Sequence, residues 1–332
     1  MSRAAQLLSN DLDQVAEEIR EGDRFLLTTH ENPDGDALGS LLAMHKMLLA
    51  LGKDSVMFLA AKEFPLPVEY RFLQIEEVFH EPPADIASRI VVFLDCGNID
   101  RMPVDFLQNH SSTVLNIDHH HDNTRFGTTN LVDVAASCTA EILYDLAGRV
   151  GVDLTLEMAN ALYVGLVTDT GKFMYENTDA RAHRMAAGLI DVGVNVNDIY
   201  RRLYEHVPLE KLKLVARALE KIELRDDGKL ATTYIAEDDY AATASGEGFT
   251  EGIIDYLRTI DGTALVAVVR DQPEKGRAAR KVSLRAADSS VDVSAIARKH
   301  GGGGHRRAAG FGTDLGYEEV VEFLSEELRA QL

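Results

Sequence analysis

Two kinds of apolar pattern alternate through the first half of the chain. Short, unbroken runs rich in Val, Ile, Leu and Phe recur at RFLLTTH (24–30), SVMFLA (55–60), RIVVFLD (89–95) and TVLNID (113–118). Runs of that length, with no polar alternation, read as strands buried on both faces. DALGSLLAMHKMLLALG (36–52), SCTAEILYDLAGRVG (137–151) and LEMANALYVGLVTDTG (156–171) instead repeat their apolar residues at helical spacing, and each ends near a glycine suited to a helix stop. Strand and helix in alternation predict a parallel α/β sheet. The pattern then changes: GVNVNDIYRRLYEHVPLEKLKLVARALEKI (193–222) is polar, charged and helical throughout. The last third predicts strands at LATTYIA (230–236), TALVAVVR (263–270) and RKVSLRA (280–286), a helix at DVSAIARKH (292–300), the tract GGGGHRRAAGFG (301–312) and a terminal helix. The expected fold class is therefore α/β: an N-terminal parallel-sheet domain over 1–190, a helical connector over 191–222, and a smaller C-terminal α/β domain with a mixed sheet over 223–332.

Composition narrows the classes of function. With 332 residues, 45% hydrophobic and 27% charged, the chain suits two folded domains of ordinary size. A formal net charge of −20 argues against sequence-independent binding of long nucleic acid, which requires many phosphates to be neutralised. Between Arg270 and Arg307, however, ten Lys/Arg face four Asp/Glu. A basic island in an acidic chain suits a small anion. No apolar run reaches the roughly 18 residues of a membrane span, and the acidic turn of the N-terminus does not read as a secretory signal. Cys96 and Cys138 make neither a disulfide framework nor a zinc spacing, so the expectation is a cytoplasmic, reduced protein without a membrane partner. Oligomeric state is not legible, and a homodimer stays open.

The candidate chemistry falls at strand ends. His30 closes the first strand, Asp95 follows the third, and Asp118, His119 and His120 follow the fourth. In open α/β sheets that edge is where ligands bind. Asp34 and Asp36 lie just beyond His30, and Asp169 is an acid in an otherwise apolar helix. Each has a bland explanation alone: a strand end for His30, turn chemistry for Asp34, a helix N-cap for Asp36. Together, so many carboxylates at one rim repel one another unless cations neutralise them. Mixed imidazole and carboxylate donors suit Mn²⁺ first, and also Fe²⁺, Co²⁺ or Zn²⁺. Two divalent ions sharing one carboxylate is the arrangement that serves in-line attack on phosphate.

Five dispersed motifs, HENPDGDALGS (30–40), LDCG (94–97), IDHHHDN (117–123), VTDTGKF (167–173) and SLR…GGGGHRRAAGF (283–311), occur in the order of the DHH phosphoesterases with a DHH-associated C-terminal domain. The chain resembles that family over nearly its whole length, and within it the two-domain nanoRNases that also dephosphorylate 3′-phosphoadenosine 5′-phosphate. The resemblance implies that His30 and Asp34 hold one Mn²⁺, that Asp36, His119 and Asp169 hold a second, and that Asp95 bridges both. It implies further that His120 faces the scissile phosphate, with Asp118 orienting an imidazole. His121 departs from the family pattern and is left outside the site.

Gly301, Gly302, Gly303 and Gly304 read either as a flexible linker or, inside a compact domain, as a backbone that an anion can approach. The resemblance favours the second: this loop, with His305 and Arg285, would grip the terminal phosphate and base of the substrate. Arg280 and Lys281 read as general field, Arg125 and Tyr144 as a loop charge and a core aromatic, and Cys96 as a packed residue. The implied substrates are short RNA, linear or cyclic dinucleotides and 3′-phosphoadenosine 5′-phosphate, bound in a cleft between the domains. The competing readings are a RecJ-type single-strand exonuclease, a family II-type inorganic pyrophosphatase and a non-catalytic nucleotide sensor.

Overall fold

The computed structural model describes residues 3–75, 78–81, 83–99, 113–205, 207–272 and 278–332. The chain divides into two compact units, Met1–His206 and Val207–Leu332.

The first unit is built on six parallel strands, β1 (Arg24–Thr28), β2 (Asp54–Phe58), β3 (Val78–Phe79), β4 (Ile90–Leu94), β5 (Val114–Asp118) and β6 (Thr129–Val132), in the order β3-β2-β1-β4-β5-β6. The four apolar runs are β1, β2, β4 and β5. The remaining two escape the hydrophobic pattern for visible reasons. β3 has only two residues, and β6 begins with Thr129 and Asn130. Successive residues of one strand serve opposite cores: Phe25 and Leu27 pack with Val92, Leu94, Leu115 and Ile117, whereas Leu26 packs with Phe58, Val91 and Phe93. Burial on both faces is why these strands are unbroken apolar runs.

Chain order reverses between β1 and β4, and at such a switch point the strand ends diverge and leave a crevice. The helices Gly35–Ala50 and Leu156–Asp169 pack together beside it. Their approach depends on absent side chains. A Cβ on Gly39 would lie 2.3 Å from the Ala161 carbonyl oxygen, and one on Gly165 would lie 2.6 Å from Oδ1 of Asp36. Helix Thr139–Val150 brings its N-terminus to the same place.

The second unit carries β7 (Glu223–Arg225), β8 (Leu230–Ile235), β9 (Leu265–Asp271), β10 (Arg280–Ala286), β11 (Gly303–His305) and β12 (Ala308–Thr313), ordered β11-β12-β10-β9-β8-β7. Only the β8–β9 pair among them is parallel, so the sheet is mixed as expected. Helices Val293–Arg298 and Tyr317–Gln331 cover the face bearing Val282 and Leu284. On the other face, helices Leu209–Glu220, Glu237–Thr243 and Ile253–Arg258 pack against Val266 and Val268 of β9. The charged segment 191–222 is divided, Val196–Tyr204 lying in the first unit and Leu209–Glu220 in the second.

The glycine tract differs from the expected loop. Gly303 and Gly304 belong to the edge strand β11, paired with Gly310 and Ala309 of β12. The N–H groups of Gly301 and Gly302 close the preceding helix on the carbonyls of Arg298 and Ala297. A run of glycines carries no hydrophobic alternation, so the pairing is invisible in the pattern.

Candidate metal centre

His30, Asp34, Asp36, Asp95, Asp118, His119, His120 and Asp169 converge at the carboxyl edge of the first sheet. The convergence follows from topology: β1, β4 and β5 are neighbours, so the residues that leave them share one rim. Asp95 is buried and lies just past β4 with φ of +55°, in the left-handed region that a residue with a Cβ seldom adopts. Nε2 of His30 stands 3.5 Å from Oδ2 of Asp95, and Nε2 of His119 stands 3.6 Å from its Oδ1. His119 Nε2 is also 3.6 Å from Oδ2 of Asp169. His30–Asp34–Asp95 and Asp36–Asp95–His119 each bring their ligand atoms within 4.8 Å of one another, and both contain Asp95, as does a third such group, Asp95–Asp118–His120.

The helix N-cap falls to Asp34, not to Asp36. Oδ1 of Asp34 accepts the N–H groups of Asp36 and Ala37 at 3.0 and 3.1 Å. Asp36 sits inside the first turn, buried. Its two oxygens accept the N–H groups of Thr139 and Ala140 at 2.7 and 2.9 Å, the positive end of another helix. Asp118 orients one imidazole in particular: its Oδ1 lies 2.7 Å from Nδ1 of His120, and its other oxygen accepts from Asn123.

The electrostatics record the crowding. Burial pushes Asp169 up to about 6, and burial together with Asp95 and Asp169 pushes Asp36 well above the usual carboxylate range. Burial opposes charge on His119 as well, but Asp169, Asp95 and Asp36 outweigh it and raise the imidazole to about 9. Burial would raise Asp95, yet its hydrogen bond with His30 and the charges of His120, His30 and His119 hold it below the ordinary range. Burial disfavours charge on His120, and its bond with Asp118 overcomes that and raises it. Among the described residues, the ion-pair partners of Asp95 and Asp169 are histidines. Buried oxygens and nitrogens of this kind, drawn together without Lys or Arg in those pairs, are a donor set that fits divalent cations. Burial, with Asp36 and Asp169 nearby, pushes the Cys138 thiol well above its ordinary value.

Several contributing residues escape sequence reasoning. Thr139 donates its hydroxyl to Asp95 at 3.0 Å, Asn177 reaches Oδ2 of Asp169 at 3.2 Å, and Ser40 lies 3.3 Å from Oδ1 of Asp36. Ser40 and Asn123 had a local signal, their places within HENPDGDALGS and IDHHHDN.

The predicted residues of the second unit also gather. The register places Arg285 opposite Ala308, and Ala308 opposite His305, so the three share one sheet face. Along that face the next rung is Ser283, Gly310 and Gly303. The fold itself needs three of the four glycines: Gly301 and Gly304 have φ of +71° and +133°, and a Cβ on Gly302 would meet the Gly310 carbonyl oxygen at 2.2 Å. A Cβ on Gly303 would meet nothing within 4 Å. Part of the basic island is internally paired, Arg270 with Glu247, Arg280 with Asp271 and Lys299 with Glu327. Arg285 donates to the Leu284 carbonyl, while Lys275 and Arg277 lie outside the described residues. Among the described residues, no helix is long and apolar enough to cross a membrane.

Comparison with known proteins follows the same division. The N-terminal domain of the DHH family matches residues 24–166, and the DHHA1 domain matches residues 229–332. A Thermus thermophilus protein named bifunctional oligoribonuclease and PAP phosphatase NrnA is 34% identical, covering 95% of this chain and 93% of its own. The Bacillus subtilis protein of the same name is 26% identical, over 87% and 88% of the two chains. In fold, an exopolyphosphatase-related protein from Bacteroides fragilis superposes with a TM-score of 0.85 at 22% identity, covering 97% of this chain and 96% of that one. RecJ from Thermus thermophilus, solved with Mn²⁺, gives 0.54 at 18% identity, covering 96% of this chain and 54% of that one. Identity of that extent to the Thermus protein, with both domains matched in order, shows that the chain belongs to the DHH family and is a hydrolase of phosphoester bonds.

Proposed function

We propose that the chain hydrolyses short oligoribonucleotides, linear or cyclic dinucleotides and 3′-phosphoadenosine 5′-phosphate to mononucleotides, using two Mn²⁺ ions. The observation that carries the reading is the sharing of Asp95 between two ligand groups, because a common carboxylate is what a paired-cation phosphoesterase requires. The names of the Thermus and Bacillus relatives support the substrate class. In this reading His30 and Asp34 hold one cation, Asp36, His119 and Asp169 the other, and Asp95 serves both. Divalent cations so placed would neutralise phosphate charge and make water a stronger nucleophile near neutral pH.

The chain's own groups supply the rest. The bond with Asp118 fixes the ring of His120 through Nδ1 and favours its protonated form, which leaves proton donation to Nε2, toward the leaving oxygen. Arg285, His305 and the open backbone at Gly303 would hold a terminal phosphate or base, so that binding contributes orientation. A terminus held at a fixed place makes short substrates preferred and long nucleic acid a poor partner. The test is a Mn²⁺-dependent assay across 3′-phosphoadenosine 5′-phosphate, dinucleotides and longer RNA, comparing kcat/KM. Failure to turn over any of the short substrates would refute the reading, and a rate rising toward long strands would favour a RecJ-type exonuclease.

A further inference from the structure

Thr139 is fully buried at the first position of helix Thr139–Val150, and it touches two of the candidate ligands through different groups. Its N–H donates to Oδ2 of Asp36 at 2.7 Å, and its hydroxyl donates to Oδ1 of Asp95 at 3.0 Å. A hydroxyl at a helix start ordinarily caps the helix. Here the cap position belongs to Cys138, whose side chain makes no cap bond, and the Thr139 hydroxyl is directed to a residue 44 positions away.

What that hydroxyl does follows from the shape of Asp95. Its carboxylate must face two ways, Oδ2 toward His30 and Oδ1 toward His119, to belong to both ligand groups. Rotation of a carboxylate about χ2 is broad and nearly two-fold, so Asp95 does not set this orientation by itself. Threonine, being β-branched, has few rotamers in a helix. Its backbone is further tied to Asp36, so its hydroxyl is a fixed point.

We propose that Thr139 is a positioning residue of the metal centre, its hydroxyl holding the Asp95 carboxylate in the orientation that serves both ligand groups at once. The inference rests on the reading of Asp95 as the shared ligand. Groups that orient a ligand commonly account for about ten- to a hundredfold in metal affinity or activity. Thr139→Val preserves the branched shape and the N–H bond to Asp36 and removes only the hydroxyl.

Calorimetric titration of metal-free protein with Mn²⁺ tests this, together with the electron spin resonance signature of a coupled Mn²⁺ pair. The wild type should take up two ions per chain with a coupled spectrum. Thr139→Val should bind the second ion at least about tenfold more weakly, lose the coupled signal, and lose kcat with little change in KM. Thr139→Ser, which keeps the hydroxyl, should restore all three. A Thr139→Val protein with the wild-type isotherm and spectrum overturns the inference alone. A wild type that binds fewer than two ions overturns the shared-ligand reading and the inference with it. Should Thr139→Val melt far below the wild type, Thr139→Ala against Thr139→Ser decides the same question, and equal isotherms for the pair overturn the proposal.

Discussion

The carboxyl edge of the first sheet and the β10–β12 edge of the second are built by opposite means. At the first, charged side chains are brought together and their mutual repulsion is held in check by imidazoles, helix N–H groups and hydroxyls. At the second, side chains are withheld: Ala308, Gly310 and Gly303 leave bare backbone beside Ser283 and Arg285. The first arrangement stores electrostatic strain that a cation would relieve. The second leaves space that, in the proposed reading, a ligand would fill. A change of charge should therefore act on the first edge, and a change of volume should act on the second.

The largest effect is expected where the two ligand groups meet. Asp95→Ala should lose metal at both positions, and kcat/KM should fall at least about a thousandfold, roughly 4 kcal/mol of transition-state stabilisation. Metal analysis alongside turnover checks this, and a variant that keeps two tight ions at a near-normal rate would refute the bridging role. Volume matters at this edge as well. Gly165→Ala sets a methyl group 2.6 Å from Oδ1 of Asp36, and overpacking there should cost about 1–3 kcal/mol and weaken metal binding. Thermal melts with and without Mn²⁺ measure both losses.

Protons should compete with cations at the charged edge only. Asp169 lies near 6 and His119 near 9, both raised, so each carries a proton below its value and must release it to bind metal. Affinity should therefore fall as pH drops through about 9 and again through about 6, with protons released on binding near neutrality. Titrations in buffers of different ionisation enthalpy count those protons, and none released would contradict the assignment.

The second edge is tested by a pair of substitutions. Gly302→Ala should destabilise the protein by about 1–3 kcal/mol, because its Cβ would meet the Gly310 carbonyl oxygen. Gly303→Ala should leave stability within about 0.5 kcal/mol, yet raise KM for a dinucleotide about tenfold. A normal KM would mean that nothing binds over Gly303. Of similar size is the length effect: kcat/KM should fall about tenfold, near 1.4 kcal/mol, from a dinucleotide to a 20-residue strand. Arg285→Ala should flatten that profile.

The alternation of apolar runs and helical periods was enough to determine the α/β class, four of the first sheet's strands and the place where charged residues would gather. That is because the strand ends of a parallel sheet lie on one rim whatever the details of packing. Short or polar strands were not legible. β3 and β6 are defined by their neighbours, and β11 by backbone pairing that glycines do not announce. Nor did the pattern show that Asp34 caps a helix while Asp36 is buried, or that Asp118 serves His120. Thr139 marks the limit best. Its partners stand 103 and 44 residues away, so its role exists only once β4 and two helices have packed. Local sequence determines which groups are available, and tertiary packing decides which of them meet, because a hydrogen bond depends on distance in space and not along the chain.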